Sequence, residues 1–289
     1  MNLIHSLFAH VPAFALSVFR LSVWLVLLAV IFVPLERWLA VRPGRPARAD
    51  LLSDLAYYFL SSLLPAMLLS VPLSLLALAA QQLVPAAVPA ALGALPLAAR
   101  LALAFVVGEI GFYWGHRLSH EIPWLWRFHA IHHSPEQMYF LVNTRSHPVD
   151  TVVTRLCGML PLYLLGLAGP SAGGSVAPAG LIVLGTIWGF FIHSNLRLRF
   201  GALEWLIATP GFHHWHHSRH EFINHNYASM LPLCDKLFGT LHLPPTWPAA
   251  YGTDTPLPPT FARQLIEPLR SPGQADGKAS KASDMSANK

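Results

Sequence analysis

Five apolar stretches, each near or above the roughly 20 residues needed to cross a bilayer, constrain this chain more than any other feature. They run at about Phe14 to Leu39, Asp54 to Val84, Leu97 to Gly115, Val149 to Ala168 and Val176 to Ile192. A single aqueous core cannot absorb them: 54% of the 289 residues are hydrophobic and only 11% are charged, about half the charge of an ordinary globular domain. Lipid is the expected solvent and every strong local signal is helical. The expected fold is therefore all-α, an integral-membrane, multi-pass helical bundle of about four to five spans. The first stretch is a poor signal peptide, because it is too long, lacks a small-residue cleavage site and is followed by further spans.

The polar connections order the spans. Between the first two lie Arg37, Arg42, Arg45 and Arg48, which place that loop in the cytoplasm and the N-terminus outside. Residues 81–100, rich in Pro and Ala, read as an external loop or re-entrant turn, and the third span returns to the cytoplasm near His116. The last two spans, joined by Gly169 to Ser175, form a hairpin, so residues 195–259 lie on the same face as residues 116–150. The expected domains are N-terminal spans over 1–96, a catalytic unit over 97–260 and a disordered tail over 261–289, where apolar patterning is lost by about Arg270. The net charge of +5 is spread over span ends without a basic stripe, which argues against nucleic acid as a partner. Cys157 and Cys234 sit in no disulfide or metal spacing.

Fourteen of the sixteen histidines follow residue 115, and most fall into three boxes. His116 and His120 stand in HRLSH, His129, His132 and His133 in HAIHH, and His213, His214, His216 and His217 in HHWHH. Residues three and four apart share a helical face, so each box can aim imidazoles at one point, with His214 facing away. Eight imidazoles exceed what one ion accepts, which implies two ions. Imidazole suits Zn, Cu, Fe and Ni alike. A di-zinc hydrolase and, less favoured, a metal transporter remain open at this point. Transport sites lie at mid-membrane depth on broken helices, whereas these boxes lie beyond the span ends. Glu109, seven residues before His116, could receive an imidazole N–H or pair with an arginine.

The order of HxxxH, HxxHH, a two-span gap and a second HxxHH, followed by the Asn226, Tyr227, Ala228 run and by Asp235 through Thr240, resembles the fatty acid hydroxylase / sterol desaturase superfamily over roughly Gly108 to Pro244. The resemblance implies a membrane bundle capped by a cytosolic helical lobe that holds two iron ions, with O₂ as co-substrate. It implies O₂-dependent hydroxylation or desaturation of a sterol, fatty acyl chain or related lipid. His116, His120, His129, His132, His133, His213, His216 and His217 fall on its eight-histidine motif. His193, at the end of the fifth span, resembles a further ligand position. His147 is either a ligand or its support, or a loop cap. Zinc can misincorporate at such a site. Glu109, Asp150 and Asp235 are candidates for trimming the positive charge from behind the imidazoles. His220, His225 and His242 read as surface or supporting groups. No segment resembles a haem, flavin or iron–sulfur domain, so a separate electron-donor protein is expected on the cytoplasmic face, with lipid entering laterally from the bilayer.

Overall fold

The computed structural model describes residues 12–168, 176–255, 257–258 and 260–270, so the Gly169 to Ser175 turn lies outside the described residues. The described residues are all-α apart from two isolated β-bridges, Ala40 to Leu196 and Ser218 to Tyr251. Three helices are long and apolar enough to cross a membrane: α1 (Ala13–Trp38), α2 (Arg48–Leu83) and α4 (Leu97–Glu121), with the short α3 (Ala87–Gly93) between the last two. The two hairpin helices, α6 (Pro148–Leu164) and α7 (Val176–His193), are 17 and 18 residues long, at the short end of what crosses a bilayer.

At 36 residues, α2 is about 54 Å long, well beyond a hydrocarbon core of about 30 Å. Its first turns stand outside that core. There Asp50 and Asp54 meet Arg145, which is only 2% exposed; Asp50 lies 3.2 Å from the guanidinium, and Asp54 also accepts from the Tyr139 hydroxyl.

The tightest helix pair is α4 with α6. A Cβ on Gly111 would lie 2.4 Å from the Cys157 carbonyl oxygen, and one on Gly115 would lie 2.6 Å from the Cys157 Cβ. Small residues let the two backbones approach where apolar burial cannot drive association.

The polar lobe is built from α5 (Pro123–His133), a 3₁₀ turn at Phe140–Thr144, another at Gly201–Trp205, α8 (Pro210–His216) and α9 (Leu233–Phe238). The Glu36 carboxylate at the end of α1 accepts the N–H groups of Phe140 (2.8 Å) and Asn195 (3.0 Å). It thereby ties the lobe to the first span.

The expected disordered tail begins too early. Residues 261–269 are ordered as α10 (Phe261–Ile266) and a closing 3₁₀ turn. The Phe261 ring stands edge-on to Tyr57 at 4.8 Å, and the Leu265 carbonyl accepts from His147 Nε2 at 3.1 Å. Docking supplies the order that local composition lacks.

Candidate metal centre

Short corners bring the three boxes together. His116 and His120 sit one turn apart near the end of α4. Ile122 leaves helical geometry (φ −93°, ψ 113°) because Pro123 follows it. Pro123 then opens α5 in its first turn, and His129, His132 and His133 fold back over α4. Thr209 caps α8 by accepting the Phe212 N–H. Helix α8 carries His213 and His216, with His217 at its C-cap, and His193 ends α7.

All nine predicted histidines meet, in two groups. The ligand-capable nitrogens of His116, His120, His129, His133 and His216 lie within 4.8 Å of one another, and those of His132, His193, His213 and His217 form a second group of the same kind. Eight of the nine are buried.

Several rings are fixed by what their Nδ1–H donates to: Tyr227 O from His116 (2.7 Å), Arg145 O from His132 (3.1 Å), Gly189 O from His193 (2.7 Å) and His225 O from His216 (2.7 Å). His129 donates to Asp150 Oδ1 at 3.0 Å. Among the described residues this is the one carboxylate hydrogen-bonded to any of the nine. With Nδ1 protonated, the neutral rings of His116, His132, His193 and His216 each present a bare Nε2 lone pair.

These lone pairs face one another. His116 Nε2 and His129 Nε2 are 3.1 Å apart, as are His132 Nε2 and His193 Nε2. Neutral His132 and His193, with their Nδ1–H groups given to carbonyls, leave no proton to lie between their Nε2 atoms, whereas two imidazoles bound at right angles to one cation at about 2.1 Å would stand about 3.0 Å apart. The buried Nε2 atoms of His120 and His216 have no hydrogen-bond partner. The donor set therefore fits two cations.

Electrostatics agree. Burial, reinforced by neighbouring imidazoles, pushes His132 down to about 3 and holds His133, His213, His216 and His217 well below their ordinary 6.5. These rings are neutral, the form in which imidazole binds a metal.

The remaining candidates sort by contact. His214 points away from both groups, Nδ1 to the Tyr251 hydroxyl (2.8 Å) and Nε2 to Ser194 O (3.0 Å). His147 is a cap, its Nδ1 accepting the Val149 N–H at the start of α6. His220 pairs with Asp254 at the surface, and His242 stacks on Phe222. Of the three carboxylates expected behind the imidazoles, only Asp150 is there. Glu109 accepts from the Ser229 hydroxyl and from the Met230 and Leu231 N–H groups, meeting neither an imidazole nor an arginine.

Asp235 accepts the N–H groups of Tyr227 (2.7 Å) and Ala228 (2.9 Å) and the Thr240 hydroxyl (2.7 Å). Its role is one step removed, since it holds the segment whose Tyr227 carbonyl fixes His116. Asn226 completes this clamp in the left-handed region (φ 58°), a conformation Asn tolerates better than most residues. Its amide donates to Phe212 O on α8 and to His242 O. The backbone acceptors and the buried Arg145 were missed in the sequence, because a carbonyl carries no residue-type signal.

Residues 101–240 match the sequence profile of the fatty acid hydroxylase family. An ornithine lipid hydroxylase of Rhizobium tropici is 36% identical over 186 residues, which is 63% of this chain and 54% of that protein. Alkylglycerol monooxygenase of Danio rerio is 33% identical over 171 residues, 59% of this chain and 36% of that protein. A putative Δ7-sterol-C5(6)-desaturase of Arabidopsis thaliana is 29% identical over 152 residues, 50% of this chain and 48% of that protein. The matched stretches thus span about half the length of these relatives or less. No solved structure matches the chain.

Proposed function

Residues 101–240 belong to the fatty acid hydroxylase family, and from that premise we propose that the protein is a membrane-embedded oxidoreductase that uses O₂ and two iron ions to hydroxylate or desaturate a C–H bond of a lipid. The carrying observation is the division of nine imidazoles into a group of five and a group of four, each with its ligand-capable nitrogens within 4.8 Å of one another. In this reading His116, His120, His129, His133 and His216 hold one ion, and His132, His193, His213 and His217 hold the other. Bound iron supplies the oxygen-activating redox chemistry that unactivated C–H bonds require and that redox-inert zinc does not.

The chain's own residues do the rest. Donated Nδ1–H bonds fix which nitrogen of His116, His129, His132, His193 and His216 faces the ion. Asp150 offsets part of the charge of two divalent cations in a buried site. The close packing of the lobe over the histidines excludes bulk water. Hydroxylation, R–H + O₂ + 2 e⁻ + 2 H⁺ → R–OH + H₂O, requires two electrons, which in this proposal come from a separate donor protein on the histidine side, taken as the cytoplasmic face. The relatives are named for an ornithine lipid, an alkylglycerol and a sterol, and in this proposal the substrate is a lipid drawn laterally from the bilayer.

The test combines elemental analysis with lipid analysis. Protein made under iron-replete conditions is expected to carry close to two ions per chain. Cells with the gene should contain an oxidised lipid that cells without it lack. Full activity with one ion per chain would refute the two-ion assignment, and an active zinc form beside an inert iron form would favour a hydrolase.

A further inference from the structure

The lobe carries a patch of apolar side chains that an aqueous domain would bury. Leu203 (56% exposed), Trp205, Leu206 and Ile207 project from the 3₁₀ turn at Gly201–Trp205 and the residues after it, and Leu233 and Leu237 (72% exposed) project from α9. The two pieces adjoin, since Lys236 Nζ lies 4.9 Å from the centre of the Trp205 ring. Both also adjoin the spans. Phe238 of α9 stacks on Tyr113 of α4 at 5.0 Å and meets Trp114 edge-on at 5.1 Å, and Trp188 of α7 donates its indole N–H to Ala208 O at 2.9 Å.

Glu109 sets the depth. It lies twelve residues into α4, about 18 Å from Leu97 along the axis. A hydrocarbon core that spans Leu97 to Gly115, about 27 Å along the axis, leaves Glu109 about 9 Å inside the boundary on the histidine side. The segment entering α9 is fastened at that level: Ser229 Oγ donates to Glu109 Oε1 at 2.7 Å, and the N–H groups of Met230 and Leu231 donate to Oε2 at 2.8 and 3.0 Å. Irregular backbone at membrane depth is tolerated only when its polar groups are satisfied by protein. Glu109 meets that need for Met230 and Leu231, and the next residue, the buried Pro232, has no N–H to satisfy.

We propose that residues 201–207 and 229–238 form a lip inserted into the lipid leaflet on the histidine side, with the apolar side chains among the acyl chains and Lys236 at the level of the phosphates. A Trp ring and a snorkelling Lys at the edge of an apolar surface suit that interface. The occupant is the lipid surface itself, because the patch is continuous with spans that already face lipid. The proposal rests on α4 crossing the bilayer and is independent of the metal assignment.

The test uses the full chain in nanodiscs of phosphatidylcholine and phosphatidylglycerol, with Cys157 and Cys234 replaced by Ala. A single cysteine at Leu203→Cys, at Leu237→Cys or, as the aqueous control, at Glu221→Cys carries an environment-sensitive fluorophore. The probes at 203 and 237 are expected to be quenched by lipid with a nitroxide near the top of its acyl chain and protected from iodide, and the probe at 221 to behave in the opposite way. Iodide quenching at either 203 or 237 to the extent seen at 221 would overturn the lip.

Discussion

His116, His129, His132, His193 and His216 are each oriented by the acceptor that holds the other ring nitrogen. Asp150 is the telling case, because its carboxylate receives the Nδ1–H of His129 while His129 Nε2 stands 3.1 Å from both His116 and His133. Replacing it (Asp150→Asn) removes the carboxylate charge that is hydrogen-bonded to the five-histidine group. Ion retention there should weaken by about 10–100-fold, so that dialysis against a chelator leaves nearer one ion than two per chain. Unchanged retention would count against that role. His214→Ala should keep both ions although it loses buried hydrogen bonds, whereas His132→Ala or His217→Ala should lose an ion; equal loss at 214 and 217 would mean the assignment by helical face is wrong. The neutral rings also predict acid sensitivity. With folded-state values depressed below 6.5 in His132, His133, His213, His216 and His217, the unfolded chain binds more protons at low pH. Their contribution to stability is therefore complete above about 6.5 and is lost as the pH falls toward the depressed values. The melting temperature of the ion-free protein in detergent should drop between about pH 7 and pH 5, and a flat profile would contradict the burial described. At this scale the sequence was highly readable for the ligand-capable rings, because i, i+3 and i+4 spacing separates His214 from its neighbours. It was poorly readable for what supports them: Glu109 lies on the right face of α4 yet serves the backbone of residues 230 and 231, a tertiary contact with no local signature.

Between residues and the whole bundle, helix packing decides whether the histidine groups meet. Helix α6 carries Asp150 and is pressed against α4 where Gly111 has no room for a side chain, since a Cβ would meet the Cys157 carbonyl at 2.4 Å and the Gly158 Cα at 3.0 Å. Gly111→Ala should therefore force the helices apart, at a cost of about 1–3 kcal/mol from overpacking, and should loosen ion binding by moving Asp150 from His129. Gly185→Ala, where a Cβ meets nothing within 4 Å, is the matched control and should be neutral. Equal melting temperatures for the two variants would exclude the close approach. Proline writes the helix boundary at the Pro123 corner between the first two boxes, a local signal carried by residue type, whereas the last boundary, at residues 261–269, depends on tertiary contact. There a helix too short to be stable alone is ordered by Tyr57 and His147.

For the molecule as a whole, the two faces of the membrane are not equivalent, and orientation reduces to one loop. The Arg37 to Arg48 connection is bound to the histidine end of the bundle: Val41 N–H and Arg42 N–H both donate to Asn195 Oδ1, at 3.0 and 3.2 Å, two residues beyond His193, and the Arg42 guanidinium donates to Pro248 O. The side that holds the four arginines is thus the side that holds the boxes. By the positive-inside rule both are expected on the cytoplasmic face, where the proposed electron donor would reach them. Ser218 beside the third box is buried and would label poorly on either face. Glu136, Glu221 and, in the α3 to α4 connection, Ala94 are exposed. Single cysteines at these positions, in a background without Cys157 and Cys234, can be treated with a membrane-impermeant thiol reagent on intact cells. Ala94→Cys should label at once, and Glu136→Cys and Glu221→Cys only after the cytoplasmic side is opened. Labelling of 136 and 221 from outside would leave the histidine groups intact but move them to a face that cytoplasmic electron donors do not reach. The two-electron reaction would then need another source of reductant, and the oxidoreductase proposal would fail at its electron supply while the metal centre stood.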